Sequence, residues 1–159
     1  MNLLPFPTIK TDRLLLRRIV ESDWKAILFL RSDKIINEFI KMSEDTKTKS
    51  KTDVLLFIQK IHNAVEDNIS VSWGITLLDS KEIIGTICLW NFSEDEKTAE
   101  VGYDLSPKFQ RRGIMSEALS GVVTFGFCEL KLDSIEAFTH NENESSRLLL
   151  ERNDFVLLK

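Results

Sequence analysis

The segment SPKFQRRGIMSEAL, residues 106–119, decides how this chain is interpreted, because a strand ends and a helix begins within it. Residues 99–105 have a strand-like pattern, and apolar residues recur at helical spacing after Gly113. A turn that leads directly into a helix leaves main-chain N–H groups without partners, in front of the positive end of the helix dipole. Basic side chains add positive charge to the turn: Lys108, Arg111 and Arg112. The segment therefore predicts a site for an anionic phosphate group.

The same turn also has a simpler interpretation. Gly113 is compatible with an ordinary turn, and arginines in turns are usually solvated. The segment has neither the Gly-Lys-Ser/Thr of a nucleoside-triphosphate loop nor the Gly-x-Gly-x-x-Gly of a dinucleotide fold. The phosphate-binding interpretation therefore depends on the strand before the turn and the helix after it.

The chain has the size and composition of a globular domain. Its 159 residues predict a single domain over residues 1–159, with 43% hydrophobic and 29% charged residues. Lysine and arginine total 21 against 25 aspartates and glutamates, which gives a net charge of −4. This balance argues against a nucleic-acid-binding protein, because such proteins usually carry a basic surface. It suits a protein that combines an anionic cofactor with a cationic partner.

Neither a membrane nor a metal is expected as a partner. No apolar run approaches the roughly 18 residues that span a bilayer, and the N-terminal residues lack the pattern of a signal peptide. Cys88 and Cys128 lie in apolar surroundings without a Cys-x-x-Cys motif, which predicts reduced cysteines in a cytoplasmic protein. His62 and His140 have no companions at metal-ligand spacing, so no metal site is predicted.

The hydrophobic pattern predicts an α+β fold. Strands are predicted at residues 13–19, 70–78, 82–92, 97–105 and 134–139, with a terminal strand stub at 155–158. Helices are predicted after the acidic residues 21–23, after a polar loop at 43–51, and at 113–130 and 143–152. The strands from residue 70 to residue 105 follow one another through short turns, whereas the strand at 134–139 follows a helical crossover. This order predicts a mixed central sheet, first antiparallel and then parallel.

The order of these elements, with Gln110-Arg111-Arg112-Gly113-Ile114-Met115 at the turn, resembles the GNAT superfamily of acetyl-CoA-dependent N-acetyltransferases. Gln110 and Gly113 match the phosphate loop of that family, whereas Met115 stands where a small residue is usual. Four further stretches resemble the Rim-type ribosomal-protein acetyltransferases: TDRLLLR at 11–17, IGTI at 84–87, EVGY at 100–103 and NESS at 143–146. The resemblance runs from about residue 8 to residue 155.

The resemblance implies a function, a cofactor and a set of cofactor contacts. The implied reaction is transfer of an acetyl group from acetyl-CoA to a primary amine, by direct attack in a ternary complex. The amine would belong to a protein N-terminus, for example that of a ribosomal protein, or to a small molecule. The family fold has helices on both sheet faces and a splayed strand pair, ending near Leu105 and beginning at Ser134, that admits the pantetheine arm. The implied cofactor contacts are Tyr103, Leu105, Gln110, Arg111, Arg112, Gly113, Ile114, Met115, Ser116 and Asn143.

Two other functions stay open. The chain could be a degenerate member of the same superfamily that binds coenzyme A without useful catalysis. It could also be an α+β interaction domain whose basic turn binds another anion.

Acetyl transfer to an amine needs a proton acceptor, because a free alkyl amine is mostly protonated at neutral pH. Glu100 is the candidate, since it alternates with Gly102 and Asp104 on one face of its strand. The resemblance assigns the matching glutamate to the incoming amine. The alternative is that Glu100 is a strand residue that faces solvent.

The departing thiolate needs a proton as well. The tyrosine that many superfamily members use corresponds here to Leu150, and the Rim-type resemblance points instead to Ser146. The alternative for Ser146 is a hydrogen bond to the backbone within the first turn of a helix. Asn143 has two interpretations in the same way, as a contact to pantetheine or as a helix N-cap.

The C-terminal region departs from the family pattern. Asp154 stands where relatives have the glycine that ends the last helix, so it is expected to carry the strain of a left-handed backbone unless the cap differs. Relatives also continue into a further strand between those that match residues 134–139 and 155–158, and this terminal strand is apparently missing before Lys159. We therefore expect an open sheet edge or a partner chain that fills it, in a monomer or a homodimer.

Overall fold

The computed structural model describes residues 1–33, 36 and 50–158. Its strands are β1 (Ile9–Lys10), β2 (Leu14–Arg18), β3 (Val71–Leu77), β4 (Gly85–Trp90), β5 (Thr98–Leu105) and β6 (Ser134–Ala137). Its helices are α1 (Trp24–Ser32), α2 (Lys51–Glu66), α3 (Ile114–Cys128) and α4 (Glu144–Arg152). Most of the predicted polar loop at 43–51 lies outside the described residues. No helix in the described part of the chain is both long and apolar enough to cross a membrane.

The strands form one mixed sheet in the order β1-β2-β3-β4-β5-β6. All neighbours pair antiparallel up to β5, whereas β5 and β6 pair parallel because α3 carries the chain back between them. This arrangement confirms the predicted change from antiparallel to parallel pairing. The parallel ladder runs only from the pair Thr98 and Ser134 to the pair Val101 and Ala137, while β5 continues to Leu105. The two parallel strands therefore separate beyond Val101.

Helices pack against both faces of the sheet. Trp73 on β3 is fully buried, packs edge-on against Phe125 of α3 and donates its indole N–H to the carbonyl of Pro7 at 2.7 Å. On the opposite face of β3, a Cβ on Gly74 would come within 3.2 Å of Ile19, whose cluster includes the α1 and α2 residues Ile27, Leu30, Val54 and Ile58. Each of these buried aliphatic side chains contributes about 1.5–3 kcal/mol. The predicted two-faced arrangement is confirmed.

Side chains cap the starts of two helices, at Ser50 and at the predicted Asn143. The Ser50 hydroxyl accepts from the main-chain N–H of Asp53 at 3.3 Å and starts α2. The Asn143 side chain accepts from the main-chain N–H of Ser146 at 3.2 Å and starts α4. Asp154, just after α4, has a φ of 66°, so an aspartate does adopt the left-handed conformation that relatives reserve for glycine.

The terminal strand stub predicted at residues 155–158 is wrong. These residues have no regular structure, and Val156, Leu157 and Leu158 are largely exposed. The main-chain N–H of Phe155 bonds back to the carbonyl of Leu150 at 3.0 Å, so the turn at Asp154 directs the chain along α4 rather than along the sheet. Among the described residues β6 pairs with β5 alone, which leaves the open edge that we expected.

One strand start and one additional strand also differ from the prediction. The strand expected from residue 82 starts at Gly85, and the two residues before it, Ile83 and Ile84, are both buried. The pair Ile9–Lys10, which forms β1 against Leu15 and Leu16, was not predicted. A strand of two residues is too short to show a period.

Candidate functional site

The turn between β5 and α3 presents a group of unpaired main-chain N–H groups. Arg111 and Gly113 both adopt left-handed backbone conformations, with φ of 63° and 73°. In the part of the chain that the structure describes, no hydrogen bond occupies the main-chain N–H groups of residues 111–116, and the first helical bond runs from Glu117 to Gly113 at 3.1 Å. These donors lie at the positive end of α3. Such a concave group of amides suits a phosphate.

Side chains from the start of β2 hold this turn in place. The Arg13 guanidinium donates to Glu117 at 2.7 Å and to the main-chain carbonyl of Arg112 at 3.0 Å. The main-chain N–H of Arg13 and the hydroxyl of Thr11 donate to the other oxygen of the same carboxylate. Burial acts to raise the pKa of Glu117, but the hydrogen bonds from Thr11 and Arg13 outweigh it and hold that pKa below its usual value. Glu117 is therefore ionised, and the carboxylate fixes the first turn of α3.

Arg13 and Glu117 were not among the predicted site residues. Arg13 lies in the TDRLLLR stretch at 11–17, which the sequence offered only as a resemblance. Nothing in the local pattern around Glu117 indicates a partner from the N-terminal region.

The gap between β5 and β6 opens next to this turn. The main-chain N–H of Ser134 donates to the carbonyl of Lys97, just before β5, at 3.2 Å. Every second residue after Lys97 therefore also points its main-chain N–H and C=O groups toward β6. By this alternation the main-chain groups of Tyr103 and Leu105 face the gap beyond the last strand pair. The Gln110 side chain donates to the carbonyl of Leu105 at 3.2 Å, which leaves the N–H groups of β5 as the donors along the gap.

Tyr103 and Ser146 meet across this gap. Their hydroxyl oxygens are 2.6 Å apart, and within the described residues the hydroxyl of Ser146 makes no hydrogen bond to the helix backbone, which was the alternative interpretation. Asn143 does cap the helix, so its N-cap interpretation is present in the structure. Burial raises the pKa of Tyr103, and the hydrogen bond to Ser146 opposes the rise. The phenol is therefore protonated at neutral pH.

Glu100 lies on the other face of β5, the face that α1 and α2 cover. It stands between Trp90 of β4 and Glu136 of β6 in the strand register. Partial burial raises the pKa of Glu100 and the charge of Glu136 adds to the rise, while a hydrogen bond with Asn91 opposes it. Glu100 is half-buried rather than fully solvent-facing. A carboxylate with a raised pKa is a better proton acceptor than an ordinary one.

Asp104 lies on the same face of β5 as Glu100. The sequence identified it only as one of the residues that alternate along that face of the strand. Its carboxylate accepts from the main-chain N–H of Thr86 at 2.9 Å and from the Thr86 hydroxyl at 2.7 Å. Burial raises the pKa of Asp104 to about 6, although the Thr86 hydrogen bonds and the positive charge of Arg31 on α1 oppose the rise. The Arg31 guanidinium lies 3.9 Å from the centre of the Phe57 ring of α2. These contacts join both helices to β5.

The structure thus brings the predicted residues to β5 from two sides. The amides of the turn and of Tyr103 and Leu105 lie along its edge, Ser146 and Asn143 lie toward α4, and Glu100 lies on the opposite face. Two hollows adjoin the turn between β5 and α3, and β5 itself lines neither of them. One of about 680 Å³ runs along α3 past Arg13, Gly113 and Asn153, and one of about 830 Å³ lies under α1 next to Phe29 and Lys108. The turn is therefore accessible from two sides.

Comparison with known proteins agrees with this geometry. The family model described as acetyltransferase (GNAT) domain matches residues 13–156. A protein named uncharacterized N-acetyltransferase YoaA, from Bacillus subtilis, is 33% identical over 150 residues, which cover 94% of this chain and 83% of that protein.

Two solved structures have the same fold. A GNAT-family acetyltransferase from Bacillus anthracis is 26% identical with a TM-score of 0.78, over 92% of this chain and 81% of that one. RimL, a ribosomal L7/L12 alpha-N-protein acetyltransferase solved in complex with coenzyme A, is 21% identical with a TM-score of 0.84, over 96% of this chain and 86% of that one.

Proposed function

The chain belongs to the GNAT acetyltransferase domain family, and we propose that it transfers the acetyl group of acetyl-CoA to a primary amine by direct attack in a ternary complex. The observation that carries this proposal is the row of unpaired main-chain N–H groups at residues 111–116, at the start of α3. The thioester of acetyl-CoA supplies an activated acetyl group. The proposal treats residues 1–159 as one domain, in the cytoplasm, without metal or nucleic acid.

The phosphate end of the cofactor would be held chiefly by backbone donors. These donors are the N–H groups of Arg111, Arg112, Gly113, Ile114, Met115 and Ser116. The Arg111 and Arg112 side chains are exposed and add positive charge, while Gln110 holds the turn against Leu105. The hollow beside α3 provides room for the nucleotide part. Together these features fit an elongated anion better than a compact one.

The reactive end would lie where β5 separates from β6. The main-chain N–H groups of Tyr103 and Leu105 face this gap and can donate to the thioester carbonyl as negative charge develops on it. Asn143 lies at the start of α4 beside the gap, where its amide can contact the pantetheine arm.

The amine would approach from the α1 and α2 face. Glu100 is proposed to accept its proton, directly or through water, because the pKa of Glu100 is raised and its carboxylate is half-buried on that face. Ser146 is proposed to hydrogen-bond the sulfur from the other side of β5. Proton acceptor and proton donor would therefore act from opposite faces of one strand.

The acceptor class remains a primary amine, of a protein N-terminus or a small molecule. RimL is named for acting on the N-terminus of a ribosomal protein, and its fold covers 96% of this chain, which supports a protein N-terminus as the first candidate. The alternative function is a degenerate domain that binds coenzyme A without useful catalysis. The open edge at β6 keeps a homodimer as an alternative to a monomer.

Two measurements test the proposal in order. Thermal unfolding is recorded with and without acetyl-CoA, and stabilisation is expected as for any ligand of the native state. Thiol release is then followed with peptides that have free N-termini, with the same peptides blocked at the N-terminus as matched controls, and with small amines. Stabilisation without thiol release from any amine supports the degenerate alternative. No stabilisation at saturating acetyl-CoA overturns both.

A further inference from the structure

Tyr103 and Ser146 form a pair of hydroxyl groups at the point where the reactive end of the cofactor is proposed to lie. Tyr103 is the only tyrosine of the chain, and its phenol oxygen is 2.6 Å from the hydroxyl oxygen of Ser146. One residue lies on β5 beyond its last pair with β6, and the other lies in the first turn of α4. The bond therefore spans the gap between these two elements.

A serine hydroxyl alone is a poor source of a proton for a thiolate. Its alkoxide is far more basic than a thiolate, so transfer from serine alone is strongly unfavourable. A phenol has a pKa of about 10 and a thiol one of about 8.5, so transfer from tyrosine to a thiolate is close to balanced. Ser146 needs a stronger acid behind it, and Tyr103 is the hydroxyl group that the structure places there.

We infer that Tyr103 is a positioning residue that supplies, through Ser146, the proton taken up by the departing thiolate. In the resting enzyme the Tyr103 hydroxyl donates to the Ser146 oxygen, so the Ser146 hydrogen is free to point into the gap. This inference rests on the proposed function.

The step balances as follows. The lone pair of the amine forms the new C–N bond, and the electrons of the C–S bond leave with the sulfur. The sulfur takes the Ser146 proton while the Ser146 oxygen takes the Tyr103 proton. Once the C–N bond has formed, the nitrogen carries one proton too many and gives it up to solvent, from which the phenolate regains a proton. From the neutral amine onward, no proton or electron is therefore gained or lost, and the proton that Glu100 first takes from the ammonium group is released separately.

Two further contacts agree with this assignment. The main-chain N–H of Ser146 is held by the Asn143 side chain at 3.2 Å, which fixes where its hydroxyl starts. The main chain of Tyr103 belongs to the ladder with β4, opposite Ile87, so the ring is anchored at its base. Burial also raises the pKa of Tyr103, so the phenol carries its proton in the resting enzyme.

The first test compares Tyr103→Phe with Ser146→Ala, and uses Ser145→Ala, an exposed neighbour on α4, as the control. For Tyr103→Phe, kcat is expected to fall at least about tenfold, with KM for acetyl-CoA changed by less than about twofold. The double variant is expected to be no slower than the slower single variant, because both changes break one relay. Losses that multiply would show that the two hydroxyl groups act independently, and that result would overturn the relay.

A second test measures how many protons move in the rate-limiting step. Rates in mixtures of H₂O and D₂O are expected to give a bowed dependence for the native enzyme, since two protons move, and a straight line for Tyr103→Phe. A dependence of the same shape in both proteins would overturn the inference. Thermal unfolding of each variant confirms that it is folded.

A third readout does not depend on activity. Tyr103 is the only tyrosine, so tyrosinate absorbance reports its pKa directly. Ser146→Ala is expected to raise that pKa further, because the Ser146 hydroxyl can turn and donate to the tyrosinate once Tyr103 has lost its proton, and an unchanged pKa would contradict the pairing. If the native enzyme releases thiol but Tyr103→Phe keeps its rate, the relay fails and the proposed function stands. If acetyl-CoA does not bind the native enzyme, the function itself fails.

Discussion

The guanidinium of Arg13 joins the start of β2 to the start of α3. Its Nε donates to Glu117 at 2.7 Å, and its terminal nitrogen donates to the carbonyl of Arg112 at 3.0 Å. A Cβ on Gly113 would lie 3.5 Å from the same guanidinium. One side chain therefore fixes both sides of the left-handed turn whose amides are proposed to hold phosphate. The partners are 104 residues apart in the sequence.

Arg13→Ala is expected to weaken acetyl-CoA binding about fivefold, because the turn loses the bond that orients its amides. Stability should fall only slightly, since the Arg13 side chain is 49% exposed. Isothermal titration calorimetry measures the affinity, and Arg152→Ala, an exposed arginine at the end of α4, is the control. Equal affinities for Arg13→Ala and native protein would show that Arg13 does not position the turn.

Glu100→Gln is expected to lower turnover at least about tenfold at neutral pH, with little change in acetyl-CoA affinity. A carboxylate must be ionised to accept a proton, so the native rate should fall as pH drops through the raised pKa of Glu100. The rate of Glu100→Gln should not show this fall. Steady-state rates over a pH series check both. Glu94→Gln, in an exposed turn, is the control. An unaltered rate would remove Glu100 from the mechanism.

Arg111→Ala combined with Arg112→Ala is expected to weaken acetyl-CoA binding only modestly, about threefold, because exposed charges contribute little. Gly113→Ala should weaken it more, since φ of 73° at Gly113 is strained for any residue with a Cβ and the amides around it would shift. Calorimetry on the two variants gives the comparison. A larger loss for the arginine variant would mean that side chains, rather than backbone donors, hold the phosphates.

Asp104 should make the stability of the protein depend on pH. Its pKa is raised from 3.8 to about 6, so between these values the folded state binds the proton more tightly than the unfolded chain. The free energy of unfolding is therefore expected to fall as pH rises through this range, by roughly 3 kcal/mol for a shift of about two units, and to level off above it.

Asp104→Asn should remove that slope, because asparagine does not titrate. Urea unfolding at a series of pH values measures the slope in both proteins, with Asp79→Asn in an exposed turn as the control. Parallel curves for the native protein and Asp104→Asn would show that Asp104 has an ordinary pKa.

The parts of the site that the sequence predicted are those that local chemistry determines. The strand that ends near Leu105, the turn at Gly113 and the helix after it depend on residues within a few positions of each other. The cap at Asn143 likewise acts over three residues, on Ser146. Glycine conformation, helix capping and hydrophobic period are local, so they can be read directly from the chain.

Contacts between distant segments could not be predicted in that way. The bond between Tyr103 and Ser146 spans 43 positions, and it exists because β5 and α4 pack side by side. The predicted strand at 155–158 failed for a related reason. The turn at Asp154 and the bond from Phe155 to Leu150 send the chain along α4, although its residues have a pattern typical of a strand.

The amino-acid sequence by itself determined the order of strands and helices, the change to parallel pairing and the place of the turn that is proposed to bind phosphate, because each follows from short-range periodicity, capping and chain connectivity. The tertiary structure alone decided which groups meet: Arg13 with Glu117, Tyr103 with Ser146, and Asp104 with Thr86. It also decided their protonation, since the pKa of each group depends on how much water the folded chain removes and which charges it brings near. Those two quantities do not exist until the sheet has formed.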